Sequence, residues 1–280
     1  MSEKKRRNIW LCADDYGISP AVSAAIRDLI ARGRINATSA MVVAPGFSQS
    51  EASALTDAAK RRAAIGLHLT LTAPFRPLTG SFAPLRGDAF LPLAPMARRA
   101  LLRNLDSVSL EAEIASQFAA FVTAFGRAPD YVDGHQHIHV FPRIREALLR
   151  VIKRNAPKAW LRQCGRAAAA PKSFGDPKGY ILDALSARLR RLSASAGVLT
   201  NTAFAGTYSF GPRADYAALF PGFLDGLPDG GLVMCHPGHV DPQLRRLDPL
   251  TDLREHEYAF FIGETFPRLL AACDIALAVP

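Results

Sequence analysis

The sequence predicts an α/β fold of (β/α) barrel-like type, built on a mostly parallel sheet. Three observations predict it. Short apolar runs of strand length alternate with amphipathic helical segments along the chain. About seven such strands fall in one chain of 280 residues, which suits a barrel better than an open sheet. Polar residues able to do chemistry collect at the C-terminal ends of these strands, where parallel α/β folds carry their sites.

The elements follow in order. Residues 8–13 form an apolar run that Asp14-Asp15-Tyr16-Gly17 breaks. Ser19 suits an N-cap and Pro20 the first helical position. Val22, Ile26, Leu29 and Ile30 then share a helix face, which Gly33 ends. Residues 39–43 are a strand candidate closed by Pro45-Gly46, and 52–62 a helix. Residues 65–71 form a strand with His68 inside it. Residues 131–133 lead into Gly134-His135-Gln136-His137-Ile138-His139, and Pro142 opens a helix with Ile144, Leu148, Val151 and Ile152 on its face. Residues 159–162 are a short strand. Residues 231–235 are a buried type of strand ending in His236-Pro237-Gly238. A helix over 264–272 and a strand over 275–279 complete the pattern. Residues 72–95, rich in Pro and Gly, read as a long loop. Residues 172–223 read as one helix (181–192) within an irregular segment. Strands continue after both, so 1–280 is expected to be one domain, with residues 1–7 a flexible basic arm.

Composition bounds the function classes. Hydrophobic residues make up 49% and charged residues 21%, which excludes disordered, collagen-like and disulfide-scaffold chains. The balance of 34 Lys+Arg against 25 Asp+Glu gives +9. The basic residues are scattered apart from Lys4-Lys5-Arg6-Arg7, and no zinc-knuckle or aromatic nucleic-acid motif accompanies them. A solvated surface is the expected reading, with no nucleic acid as partner. Cys12, Cys164, Cys235 and Cys273 form no CxxC pair, so a reducing, cytoplasmic setting is expected. The run Ile9-Trp10-Leu11-Cys12-Ala13 is too short for a signal-peptide core, and no stretch approaches the roughly 20 apolar residues of a membrane span.

Four polar groups fall at predicted strand ends: Asp14-Asp15, His68, His135-Gln136-His137 and His236. Singly, each has a plain explanation. Asp14-Asp15 can cap a loop, His68 can be a hydrogen-bonded core histidine, and His236 can sit in a turn. Three histidines in five residues are harder to explain by packing, and in an extended chain His135, His137 and His139 share one face. Together the groups can converge on one rim. Two histidines and a carboxylate are a common metal set with positions left for water and substrate, and such a set accepts Zn²⁺, Mg²⁺ or another divalent ion.

The same blocks carry a resemblance. Ala13-Asp14-Asp15-Tyr16-Gly17-Ile18-Ser19-Pro20, Gly66-Leu67-His68-Leu69-Thr70-Leu71-Thr72, Asp133-Gly134-His135-Gln136-His137-Ile138-His139 and Cys235-His236-Pro237-Gly238, in this order and spacing, resemble the YdjC-like carbohydrate deacetylases. The resemblance covers most of the chain and is weak across 76–128 and 165–225. Tyr16 stands where the family often has Phe, and Gly134 where it often has Ser.

The resemblance implies a barrel of the deacetylase type. It implies one divalent ion, Mg²⁺ or Zn²⁺, at Asp15, His68 and His135. Asp14 would be the general base, His236 the general acid and Arg162 the residue that orients Asp14. Asp133 and His137 would receive the ligands' outer N–H groups, and His139 would support the strand. The implied substrate is an N-acetylated amino sugar or oligosaccharide, and the implied assembly a homodimer. Two other readings stay open: a metal-dependent barrel hydrolase of esters, cyclic amides or phosphates, and a non-catalytic sugar-binding relative.

Overall fold

Apolar strands alternating with one-sided helices produce a parallel sheet wrapped by helices. The computed structural model describes residues 6–60, 62–170, 177–211 and 214–277. The first half contains β1 (Arg7–Tyr16), α1 (Pro20–Ala31), β2 (Ala37–Ala40), α2 (Gln49–Ala59) and β3 (Ala64–Leu69). A short antiparallel pair, β4 (Leu85–Arg86) and β5 (Ala89–Phe90), precedes α3 (Leu93–Leu101), α4 (Ser107–Phe125) and β6 (Tyr131–Gly134). Next come α5 (Ile144–Asn155), β7 (Trp160–Leu161), α6 (Pro177–Ala196), β8 (Phe204–Ala205) and α7 (Tyr216–Leu224). The chain continues through β9 (Leu232–Cys235), α8 (Pro242–Leu247), α9 (Asp252–Ile262), α10 (Thr265–Ala272) and β10 (Ile275–Leu277).

The main sheet runs β7-β6-β3-β2-β1-β9-β8, with β10 pairing the start of β1. Its pairings are parallel. The sheet curls until its edges approach. Leu161 of β7 bridges Thr200 in parallel, and Phe204 of β8 donates its N–H to Gly165 O at 2.9 Å. Residues 199–205 therefore touch both edges, and the architecture is the expected barrel-like one. Strands in such a sheet are buried on both faces: Leu11, Cys12 and Ala13 are wholly buried, as are Leu67 and Leu69.

Local chemistry sets the elements. The Ser19 hydroxyl accepts from Val22 N, Pro20 begins α1, and Val22, Ile26, Leu29 and Ile30 are buried beneath it. On α5 the face of Ile144, Leu148, Val151 and Ile152 is buried. Several boundaries differ from expectation. The second strand lies at 37–40 rather than 39–43, because from Met41 the backbone bonds close turns, Ala44 N to Met41 O and Phe47 N to Ala44 O. The segment 72–95 contains β4, β5 and the start of α3. The segment 172–223 contains a longer helix, then β8 and α7. Helix α4 escaped the apolar pattern because its buried face includes Glu113 and Gln117. They are satisfied there: Glu113 accepts from Thr79, and Gln117 bonds Thr70 in both directions.

Residues 1–5 and 278–280 lie outside the described residues. Arg7 is no part of a flexible arm. It begins β1, and its guanidinium donates to Leu224 O at 3.1 Å and Leu227 O at 2.5 Å. Among the described residues no helix is long and apolar enough to cross a membrane.

Candidate active site

Five strand ends bring the candidate residues together. β1 carries Asp14 and Asp15, β3 carries His68, and His135 follows β6. Arg162 follows β7, and His236 follows β9. A regular strand would send consecutive side chains to opposite faces. Here Asp15 has φ +67°, and the β1–β2 register shifts between Ala13 and Tyr16. The irregularity re-aims the side chains, as bulges next to sites do. Asp14 meets Arg162, while Asp15 meets His68 and His135.

Asp15 Oδ1 lies 3.2 Å from His68 Nε2 and 3.0 Å from His135 Nδ1. The three residues are buried, and one donor atom from each falls within 4.8 Å of the others. Asp133 Oδ1 approaches His68 Nδ1 at 2.7 Å, and the Ser39 hydroxyl donates to Asp133 Oδ2 at 2.9 Å. With Nδ1–H donated to Asp133, Nε2 is turned toward Asp15, where a divalent ion would take the place of its proton. Arg254 donates to Asp15 Oδ2 at 2.6 Å, so Oδ1 is the oxygen left for a cation. Burial disfavours charge on His68, yet Asp133, Asp15 and Asp14 outweigh it and raise its pKa to about 10. One carboxylate and two imidazoles with converging donor atoms fit a divalent ion.

Arg162 grips Asp14 with two bonds, NH1 to Oδ2 at 2.7 Å and NH2 to Oδ1 at 2.6 Å. The same NH2 lies 2.5 Å from Asp133 Oδ2 and donates to Cys12 Sγ at 2.8 Å. Burial pushes the Asp14 carboxyl up, but Arg162 prevails and holds it well below the usual carboxylate range. His236 donates its main-chain N–H to Glu257 Oε2 at 2.5 Å, while its buried Nδ1 has no hydrogen-bond partner among the described residues. Burial lowers the pKa of this imidazole, against the opposing pull of Asp15.

The three neighbouring histidines do not share a face. Residues His135–Val140 form a 3₁₀ turn in which Gln136 and His137 have φ of 53° and 57°, so the rings diverge. His135 turns to Asp15. His137 sets Nδ1 3.7 Å from Cys164 Sγ and its ring edge-to-face with Phe204. His139 bonds Arg162 O through Nε2 at 2.9 Å. His137 thus faces Cys164 and Phe204, while Asp133 meets the outer nitrogen of His68. Burial, ahead of charged neighbours, lowers the pKa of both His137 and His139 to about 3.

The two departures from the family pattern have local reasons. At Gly134 a Cβ would lie 2.8 Å from His139 Nδ1, so a side chain there would displace the ring. The Tyr16 hydroxyl donates to Glu51 O at 2.8 Å and accepts from Arg27 NH1 at 2.8 Å. The extra oxygen is therefore satisfied inside the core.

Sequence reasoning missed Ser39, Arg254 and Glu257. The last two lie on the buried face of α9 with Leu253 and Phe261. Their one trace in the sequence is charge in register with an apolar face.

The YdjC-like protein family model matches residues 8–272. A chitooligosaccharide deacetylase of Escherichia fergusonii is 34% identical over 276 residues, covering 94% of this chain and 97% of that one. The chitooligosaccharide deacetylase of Serratia marcescens is 28% identical over 255 residues, covering 85% and 88%. Among solved structures, a candidate cellobiose-phosphate cleavage protein of Enterococcus faecalis V583 superposes with a TM-score of 0.74 at 20% identity, over 98% and 97% of the two chains. That likeness shows a shared fold. With a family match spanning the rim residues and α9, this chain belongs to the YdjC-like family.

Proposed function

We propose that this chain hydrolyses the N-acetyl group of an amino sugar or oligosaccharide, with one divalent ion held by Asp15, His68 and His135. The observation that carries the reading is the arrangement at the rim. An ionised carboxylate, Asp14, stands beside a buried three-donor cluster. His236, with a ring nitrogen that has no hydrogen-bond partner among the described residues, is near enough for both aspartates to weigh on its pKa. The names of the curated relatives support the carbohydrate deacetylase reading.

An amide is a poor electrophile and water a poor nucleophile. A bound divalent ion supplies Lewis acidity toward both. Asp14, kept ionised by Arg162, accepts the proton of the attacking water. The amine departs only when protonated, and His236 delivers that proton. Acetate and a free amino group result. The proposal includes Mg²⁺ or Zn²⁺ as the ion, a homodimeric assembly, and a cytoplasmic location, which free Cys12, Cys164, Cys235 and Cys273 support.

The test is acetate release by ion-loaded protein across N-acetylated mono- and oligosaccharides, with Asp14→Asn as control. The variant should lose at least about 100-fold in turnover while still binding the ion. Wild-type turnover in Asp14→Asn would remove Asp14 from the base role. Release from esters or phosphates, with none from N-acetyl sugars, would move the chain to another barrel hydrolase class.

A further inference from the structure

We propose that Phe210 is the stacking wall of a saccharide-ring subsite beside His236, held in place by the hydrogen bond between Tyr208 and Glu257. The inference rests on the deacetylase reading and adds how the sugar is gripped.

Among the described residues Phe210 is the one exposed phenylalanine, with 44% of its surface open. A lone exposed apolar side chain ordinarily needs no explanation. This one is attached to the site. Its ring meets His236 edge-to-face with centroids 5.7 Å apart and packs on Tyr208 at 4.4 Å. Tyr208 in turn donates its hydroxyl to Glu257 Oε1 at 2.7 Å. The other oxygen of that carboxylate receives the main-chain N–H of His236. One buried carboxylate therefore fixes both the His236 turn and the strand-to-helix loop that presents Phe210.

The loop is pinned at its start as well. Gly206 has φ +101° and lies against the Met234 backbone so closely that a Cβ there would collide with Met234 O. The metal-donor side of the rim is different. Phe75 meets His135 edge-to-face at 5.6 Å but is itself buried. An apolar wall open to solvent thus stands on the His236 side, where the leaving nitrogen must lie.

A sugar ring is polar at its edge and carries C–H groups on its faces. Those faces match the π-face of an aromatic ring, and pockets commonly orient ligands with one such apolar wall and a few polar groups. The ligand class is a pyranose whose ring lies on Phe210 while its acetamido group reaches Asp14 and the donor cluster.

Calorimetric titration of N,N′-diacetylchitobiose into zinc-loaded Asp14→Asn protein, which turns over slowly, tests the subsite. Adding Phe210→Ala should weaken binding about tenfold, or ~1.4 kcal/mol, with zinc affinity unchanged. Phe210→Trp should retain binding. Tyr208→Phe, which loses the anchor but keeps the ring, should weaken binding by a smaller factor. Equal affinity with and without the Phe210 ring would overturn the subsite and leave the reaction standing. No disaccharide binding by the parent and no acetate release by the wild type would overturn both.

Discussion

Asp133 and His68 form a buried pair in which the carboxylate sits 2.7 Å from Nδ1, leaving Nε2 to Asp15. An imidazole whose outer N–H is held this way has a fixed tautomer and a more basic inner nitrogen. Asp133→Asn should lower the affinity for the divalent ion by about 10–100-fold, measured by competition with a chromogenic chelator. Unchanged affinity would mean that His68 is oriented by Ser39 alone.

Arg162 is wholly buried between Asp14 and Asp133. Removing one partner from a buried ion network strands the others without compensation. Arg162→Met should destabilise the fold by about 3–5 kcal/mol, read as a shift in urea midpoint. Arg162→Lys should recover only part of it, because a single ammonium cannot reproduce the two-pronged grip. A midpoint equal to wild type in either variant would contradict this account of the network.

Glu257 supplies a pH dependence. Burial, partly offset by Tyr208 and the His236 N–H, raises its pKa from 4.5 to about 7. Between those values the native state keeps a proton that the unfolded chain has released. Stability from this group therefore falls as pH rises through that window, by about 3 kcal/mol, and levels off above it. Glu257→Gln carries no such proton, so the variant should gain on wild type in urea unfolding between pH 5 and pH 8. A constant difference across that range would show that Glu257 titrates as an ordinary carboxyl.

Burial raises the pKa of the Cys12, Cys164 and Cys235 thiols, against the opposing pull of Arg162. Cys273 is half-buried. A disulfide-exchange reagent at pH 8 should titrate one thiol in the native protein and four after denaturation. Rapid reaction of a second native thiol would place one of the barrel cysteines within reach of solvent.

Gly206 combines a left-handed φ with a backbone neighbour that cannot yield. Gly206→Ala should cost about 2 kcal/mol or more and loosen the loop bearing Tyr208 and Phe210. Thermal unfolding unchanged from wild type would rule that out.

The strand ends were legible because punctuation marks them. Asp14-Asp15 stops an apolar run, Gly134 precedes His135, and Pro237-Gly238 follows His236. Propensity has no sign for the left-handed Gln136 and His137, so the extended reading of His135, His137 and His139 failed where the chain turned back on Gly134. Buried charge is equally silent. Arg254 and Glu257 look like solvent-facing residues of α9, and only their partners Asp15 and His236 give them another meaning. Residues 199–205 close the sheet with isolated backbone bonds and too little periodicity to register as a strand.

Arg254 lies 239 positions along the chain from the Asp15 carboxylate it holds, and β1 is flanked by β2, β9 and β10. β1 is thus completed by residues made long after it during synthesis. Such long-range pairing slows folding, and on a ribosome releasing the chain from its N-terminus the rim has no assembled precursor. A nascent chain that stops before α9 presents Asp15 without its guanidinium and His236 without its carboxylate, so the rim is complete only once α9 has been made and has docked.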